Sequence, residues 1–173
     1  VGEWVLPALQ AARRVADQVN VPIAVHVSVE PPSLEEILSL LKSGDIITHS
    51  YTSLDQGILD ADGKLRKAVR EARERGVLFD LGHGAGSFSF AVARKALEQG
   101  FPPDSISTDI YYANVVKPVN DLATTMAKFL ALGLSFEEVL PRVSMNPGRV
   151  LVGVSEAVVH RRYHGAAGTE VGA

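Results

Sequence analysis

Apolar positions along the chain alternate between a helical period and short apolar runs typical of buried strands. Over residues 3–19 they recur every three or four residues, with charged side chains mainly on the other face, which predicts an amphipathic helix. Asn20 can adopt the left-handed conformation that ends a helix, and Pro22 prevents continuation. Residues 23–29 then contain few polar positions, as expected for a strand covered on both faces.

The same cycle of helix and strand repeats to about residue 152. Ser33 and Glu36 have the spacing of a capping box, which predicts a second helix that ends at Gly44. Further strands are predicted at 46–48, 77–81 and 105–110. Further helices are predicted at 64–75, 87–99 and about 120–132. A short helix is expected to begin at the capping box of Ser135 and Glu138, and one more turn at Asn146-Pro147. The alternation predicts an α/β fold with a parallel sheet of four strands, whereas a closed barrel needs eight.

The domain organisation predicted from this pattern is simple. Residues 1–152 are enough for one well-cored domain. Residues 153–173 are rich in Gly, Ala, His and Arg without any period, so we expect a disordered tail. The chain begins at Val1 directly in a helical pattern and without Met, so we expect that further residues precede it.

Side chains able to bind a metal follow three of the predicted strands. His26, His49 and Asp109 each end an apolar run. The carboxyl ends of parallel strands meet at one edge, where barrel enzymes collect their chemistry. A single histidine at a strand end is more often a packing residue, but recurrence on several strands favours a shared site. Imidazole nitrogens and a carboxylate oxygen suit a divalent ion such as Zn²⁺, so we expect these residues to bind one.

A glycine-rich loop, residues 82–86, follows the third predicted strand and opens a helix. Its backbone amides could cradle an anion, either a phosphate or a substrate carboxylate. By itself the pattern is better explained as a tight turn that needs left-handed glycines, and its spacing does not match known nucleotide-binding loops. We expect His83, Gly84 and Gly86 to contact the substrate, with His83 donating a hydrogen bond.

Other polar residues have simpler interpretations. Asp45 follows a helix-ending glycine and is expected to bond backbone amides, and Asp80 is also interpreted as structural. Tyr111, Tyr112 and Asn114 lie in the long loop after the last predicted strand, where they could line a substrate pocket or simply pack.

Composition excludes several classes of function. The net charge of −3 provides no basic surface for nucleic acid or anionic membranes. No apolar run approaches the ~20 residues that span a bilayer, and residues 1–4 do not have the pattern expected of a signal peptide. Without cysteine the chain has no disulfide, no cysteine zinc site and no thiol nucleophile. We expect a cytoplasmic protein that acts on a small molecule, with no nucleic-acid or membrane partner.

Several of these stretches resemble the metal-dependent amidohydrolases, most closely the dihydroorotase-like and acetyl-hydroxyacid deacetylase branch. The resemblance extends to about residue 152, and its matching stretches are Val25-His26-Val27, Ile47-Thr48-His49, Phe79 to Phe88, Ser107-Thr108-Asp109, residues 121–126 and 132–138, and Asn146-Pro147. It implies a parallel (β/α) barrel of the TIM type, of which this chain would form the half barrel of strands five to eight with its flanking helices. It also implies a centre of one or two metal ions, usually zinc.

The resemblance further implies roles for the candidate residues. His26 and His49 would hold the second metal from the ends of strands five and six. Asp109 would be catalytic: it would bind the first metal from strand eight and move a proton from the attacking water to the leaving nitrogen. His83 would face the substrate from strand seven. The implied reaction is hydrolysis of a carbon–nitrogen bond in a cyclic or acylated amide, and an ester is also a possible substrate.

The chain departs from the family pattern, which leaves an alternative open. It contains no His-x-His motif, starts after the position of the strand-four lysine and has no C-terminal β-sandwich. A half barrel has exposed parallel edges, so the chain could be a catalytically impaired fragment that assembles with itself or with a complementary half. We expect a homo-oligomer. A phosphate-binding barrel enzyme is less favoured, because no suitable lysine ends a strand.

Overall fold

The computed structural model describes residues 2–152, in which helices alternate with three short strands. A 3₁₀ turn at Gly2–Trp4 precedes the helices α1 (Val5–Val19), α2 (Leu34–Ser39), α3 (Lys67–Glu74), α4 (Phe90–Glu98), α5 (Leu122–Ala131), α6 (Phe136–Val143) and α7 (Met145–Val152), and the strands are β1 (Ala24–His26), β2 (Ile46–Thr48) and β3 (Leu78–Phe79). The predicted tail, 153–173, lies outside the described residues. Within the described range, no helix combines the length and the apolar character needed to cross a bilayer.

The three strands form one parallel sheet in the order β1-β2-β3. The prediction of an α/β fold with a parallel sheet is therefore confirmed. Ile46 pairs with Ala24 on one side and with Leu78 on the other. Helices α2 and α3 lie between the strands in the sequence, because parallel strands need a crossover connection. The same register places His26 opposite Thr48, so the carboxyl ends of β1 and β2 lie level.

The prediction of a fourth strand at 105–110 is wrong. Within the described residues this segment makes one isolated parallel bridge, from Asp80 to Ser105. On its outer side the Ile106 amide donates to the Arg142 carbonyl in α6 at 2.9 Å. On the inner side, the amides of His83 and Gly84 donate to the carbonyls of Ser107 and Thr108 at 3.0 Å. Gly82 and Gly84 have left-handed backbones, so this side faces a loop and no continuous ladder forms. β1 and β3 are also shorter than the runs that predicted them.

Local signals set the helix ends. The capping boxes of Ser33 with Glu36 and of Ser135 with Glu138 are both formed, which confirms the two predicted helix starts. Such caps contribute about 1 kcal/mol each. Asn20 ends α1 in the left-handed conformation, with φ 54°, as predicted. The second helix nevertheless ends at Ser39, earlier than expected, and a turn leads from there to β2.

The two faces of the sheet have different surroundings. Ile47 and Phe79 point to one face and are fully buried in the hydrophobic core together with residues of the helices. Side chains alternate along a strand, so Ala24, Ile46 and Leu78 lie on the opposite face. These residues line an open cavity of about 520 Å³. The helix-covered face therefore supplies the core, and the other face remains accessible.

Asp45 has the structural role predicted for it. Its buried carboxylate accepts hydrogen bonds from the amides of Ile23 at 2.9 Å and Lys42 at 2.7 Å. It also forms an ion pair with Arg13 of α1 at 2.5 Å. Asp45 thus joins the first helix to the turns that precede β1 and β2.

Candidate functional site

The structure brings His26, His49 and Asp109 together beyond the carboxyl ends of the strands. His26 is the last residue of β1, and His49 directly follows β2. The two rings make an edge contact with their centroids 4.1 Å apart. Nε2 of His49 lies 3.9 Å from Oδ2 of Asp109. Three residues from distant parts of the chain therefore share one location, and metal binding by them stays a prediction.

His49 is held through one ring nitrogen. Its Nδ1 lies 2.6 Å from the carbonyl oxygen of Gly82. Since a carbonyl oxygen can only accept, Nδ1 carries the proton and donates it, so in the neutral form of the ring the lone pair is on Nε2. The residue is 3% exposed, so this contact is shielded from water. An imidazole held by a backbone carbonyl is the usual arrangement for a metal-binding histidine.

His49 and Asp109 both have left-handed backbones, with φ of 66° and 46°. This conformation costs a residue other than glycine of order 1–3 kcal/mol, so the surroundings must stabilise it. The fully buried Asn114 supplies part of that support: its Nδ2 donates to the Asp109 carbonyl at 2.9 Å, and its Oδ1 accepts from the Tyr111 amide at 2.8 Å. Tyr111 and Tyr112 are exposed. Asn114 therefore holds the turn that follows Asp109.

The environment favours the neutral form of the His26 imidazole. Partial removal from water lowers the pKa of His26, and the neighbouring His49 lowers it further, while the carboxylate of Asp109 opposes both effects. Neutral imidazole is the form that binds a metal. The pKa shift of His26 thus acts in the direction that a metal site requires.

These three residues fit a divalent cation by the chemistry of their donor atoms. Two imidazoles and one carboxylate are a set found around catalytic zinc, with the remaining position taken by water or substrate. The separation of 3.9 Å between Nε2 of His49 and Oδ2 of Asp109 allows both atoms to bind one ion at ~2.0–2.2 Å. Over residues 2–152, however, no group of three or more acidic, histidine or cysteine side chains is arranged so that it could hold a metal ion. Metal binding by His26, His49 and Asp109 therefore rests on the chemistry of their donor atoms and stays a prediction.

His83 lies in a different environment from the other two histidines. Its Nδ1 lies 2.8 Å from the Gly84 carbonyl, and its Nε2 lies 2.6 Å from Nζ of Lys128. An ammonium group only donates, so Nε2 accepts and both ring nitrogens are engaged within the protein. A hydrogen bond from His83 to a substrate stays a prediction, and it would require the Nδ1 contact to break.

Lys128 was not found by sequence reasoning. It lies on α5, 45 positions from His83, and nothing in the sequence around it distinguishes it from a surface lysine. Its Nζ also donates to the Pro118 carbonyl at 2.7 Å. Burial lowers the pKa of Lys128. Burial also lowers the pKa of His83, where the charge of Lys128 adds to the effect and the hydrogen bond to Gly84 opposes it.

Two glycines of the loop at 82–86 are needed for its close approach to the site. Gly84 has φ +53°, and a Cβ there would lie 2.9 Å from Oδ2 of Asp109. Gly82 has φ +50°, and a Cβ there would lie 2.8 Å from Nδ1 of His49. A Cβ at Gly86 would meet nothing within 4 Å. Substrate binding by Gly84 and Gly86 stays a prediction.

Comparison with known proteins finds relatives that match most of this chain. No family model matches the chain. The chain is 40% identical over 150 residues to a deacetylase of Enterococcus faecalis. The aligned region covers 85% of this chain and 41% of that protein. It is 38% identical over 151 residues to a deacetylase of Brucella anthropi. That aligned region covers 87% of this chain and 37% of the relative.

Two solved structures give the same result. The fold matches an adenine deaminase with a TM-score of 0.83 and 39% identity, over 86% of this chain and 41% of that one. It matches a dihydroorotase with a TM-score of 0.77 and 37% identity, over 87% of this chain and 41% of the dihydroorotase. The chain is similar in sequence and fold to members of the amidohydrolase superfamily. It spans about two fifths of the length of the curated relatives it matches. The family resemblance stated from the sequence is thereby confirmed.

Proposed function

We propose that this amidohydrolase homologue forms strands five to eight of a TIM-type (β/α) barrel and supplies half of a hydrolase site. The reaction is hydrolysis of a carbon–nitrogen bond in a cyclic or acylated amide, or of a related ester. The observation that supports this proposal is the meeting of His26, His49 and Asp109 at the strand ends, with Nδ1 of His49 held by the Gly82 carbonyl and Nε2 facing Asp109. Relatives named deacetylase, adenine deaminase and dihydroorotase support a hydrolase.

His26 and His49 would hold a divalent cation, with zinc as the best candidate, through neutral imidazole nitrogens, and Asp109 would hold it through its carboxylate. When bound, such an ion lowers the pKa of water towards ~7 and polarises a carbonyl group. The hydrogen bond from Nδ1 of His49 to Gly82 keeps Nε2 directed at Asp109, so this ligand needs little reorganisation.

Asp109 would transfer the proton. Its side chain is 51% exposed, so its carboxylate can reach a water molecule and a substrate. It would accept the proton of the attacking water as a general base and return it to the leaving nitrogen as a general acid. Gly84 leaves room for the carboxylate, and Asn114 fixes its backbone. The open space at Gly86 would admit a polar group of the substrate.

The test is hydrolysis by the zinc-loaded full chain on a panel of N-acetyl amino acids, cyclic ureides and acetyl esters. We expect turnover by the wild type and a loss of at least ~100-fold in Asp109→Asn, because the proton acceptor is removed. Asp62→Asn, at an exposed turn, is the charge-matched control and keeps full activity. Equal rates for Asp109→Asn and the wild type would contradict the proposal.

A second candidate is a catalytically impaired fragment that assembles with itself or with a complementary half. The observation that favours it is the accessible sheet face of Ala24, Ile46 and Leu78, which borders the cavity of about 520 Å³. Light scattering coupled to size exclusion would give the mass of the particle. A dimer with no hydrolytic activity would favour this candidate, and an active monomer would exclude it.

A further inference from the structure

Asp80 is a buried carboxylate that accepts hydrogen bonds from three hydroxyl groups. Thr48 Oγ1 donates to its Oδ2 at 2.7 Å, and Ser107 Oγ donates to the same oxygen at 2.6 Å. Ser105 Oγ donates to the other oxygen, Oδ1, at 2.6 Å. The donors come from the end of β2 and from the segment after α4, so one carboxylate ties three parts of the chain together.

A continuous run of hydrogen bonds connects Asp80 to His49. Ser107 Oγ gives its proton to Asp80 and accepts the amide proton of Gly82 at 3.2 Å. The carbonyl of the same glycine accepts from Nδ1 of His49 at 2.6 Å. Gly82 is therefore held to the carboxylate through its N–H and to the imidazole through its C=O.

The packing around Gly82 leaves little freedom for another arrangement. A Cβ on this residue would overlap the hydroxyl of Thr48 and lie 2.8 Å from Nδ1 of His49. Chains of hydrogen bonds that begin at a charged group polarise one another, which strengthens each bond. Hydrogen-bond partners behind a metal-binding histidine fix its tautomer and its orientation.

We propose that Asp80 is a positioning residue that sets the Nδ1–H tautomer and the ring orientation of His49 through Ser107 and Gly82. The proposal rests on the proposed function only in treating His49 as a metal ligand. The orientation itself is a property of the metal-free chain. Asp80 and Ser107 are argued to act on the site through Gly82 and His49, so they are positioning residues and not catalytic residues.

Ser107→Ala and Ser105→Ala form a matched pair that isolates the connection. Each removes one hydroxyl bond of 2.6 Å to Asp80, but only Ser107 also reaches Gly82. Long-range proton–nitrogen NMR of the metal-free full chain reports the tautomer of His49. We expect the Nδ1–H form in the wild type and in Ser105→Ala, and a mixture of tautomers in Ser107→Ala.

Zinc affinity, measured by competition with a chromophoric chelator, gives a second readout. We expect Ser107→Ala to weaken it about 10- to 100-fold, the usual effect of losing an outer hydrogen-bond partner, while Ser105→Ala stays close to the wild type. Ser107→Thr keeps the hydroxyl and restores both readouts. Asp80→Asn keeps the side-chain volume, and we expect it to disturb the tautomer even if Ser107→Ala does not fold.

An unchanged His49 tautomer in folded Ser107→Ala, or in Asp80→Asn, would overturn the proposal. So would equal losses of zinc affinity in Ser105→Ala and Ser107→Ala, because a merely structural role predicts no difference between them. The NMR measurement needs neither metal nor substrate. Absence of hydrolysis would therefore contradict the proposed function without affecting this test.

Discussion

The surroundings of His49 and His83 differ in one decisive respect. Both residues are 3% exposed. Each has Nδ1 within hydrogen-bond distance of a glycine carbonyl in the same loop, at 2.6 Å from Gly82 and 2.8 Å from Gly84 respectively. The Nε2 of His49 is 3.9 Å from the carboxylate of Asp109, whereas that of His83 is 2.6 Å from the ammonium of Lys128. Burial and a backbone contact are therefore not enough to identify a metal ligand.

The neighbour of Nε2 decides which role each histidine can take. A carboxylate beside the lone pair adds a second ligand of the right charge for a cation. An ammonium group occupies the lone pair and repels a further positive charge. The site of His49 is thus suited to a metal, and that of His83 is suited to holding the glycine loop against α5.

The largest expected effect is a difference in zinc affinity between variants that lack the His49 imidazole and variants that lack the His83 imidazole. We expect His49→Ala to weaken zinc binding by more than about 100-fold, beyond the effect of losing an outer hydrogen-bond partner. His83→Asn keeps a donor for the Gly84 carbonyl and should leave the affinity near that of the wild type. Competition with a chromophoric chelator measures both. Similar losses of zinc affinity in the two variants would show that the neighbour of Nε2 does not distinguish the roles of His49 and His83.

A smaller effect is expected from adding a methyl group to the loop. Gly82→Ala brings Cβ against Thr48 and His49 at φ +50°, and should lower the free energy of unfolding by about 1–3 kcal/mol. Gly86→Ala is the control, because its Cβ meets nothing within 4 Å, and its effect should stay within ~0.5 kcal/mol. Urea unfolding gives both values. Equal stability of the two variants would mean that the loop is not held against His49.

The smallest effect is the dependence of stability on pH. The folded pKa of His83 lies below the ordinary value of 6.5, so the unfolded chain binds more protons. The stability contribution is fully present above pH 6.5 and is lost as the pH falls through the lowered pKa. Urea unfolding from about pH 8 to pH 5 should show a weaker decline in His83→Asn than in the wild type. The remaining decline includes His26, whose pKa is also lowered. If the free energy of unfolding fell equally with pH in both proteins, His83 could not be a buried neutral residue.

Part of the candidate site could be predicted because it depends on position along single strands. His26 and His49 were found from the apolar runs before them, and Asp109 from a run that forms no strand in the structure. The carboxyl ends of parallel strands lie at one edge of a sheet, so a strand-end position was sufficient for His26 and His49. The supporting contacts of Lys128 and Asn114 could not be predicted, since they arise from a helix and a turn whose placement depends on the whole fold.

The sequence by itself determined the local elements of this protein. The capping boxes at Ser33 and Ser135, the left-handed Asn20 and the strand Ile46–Thr48 were all predicted correctly, because their causes act within a few residues. Only the tertiary structure decided that residues 105–110 lie beside the sheet without becoming a strand, since their inner neighbours are residues of the glycine loop and Ile106 bonds to a helix far along the chain. It likewise decided the different surroundings of the buried histidines, because the neighbour of each Nε2 comes from another segment.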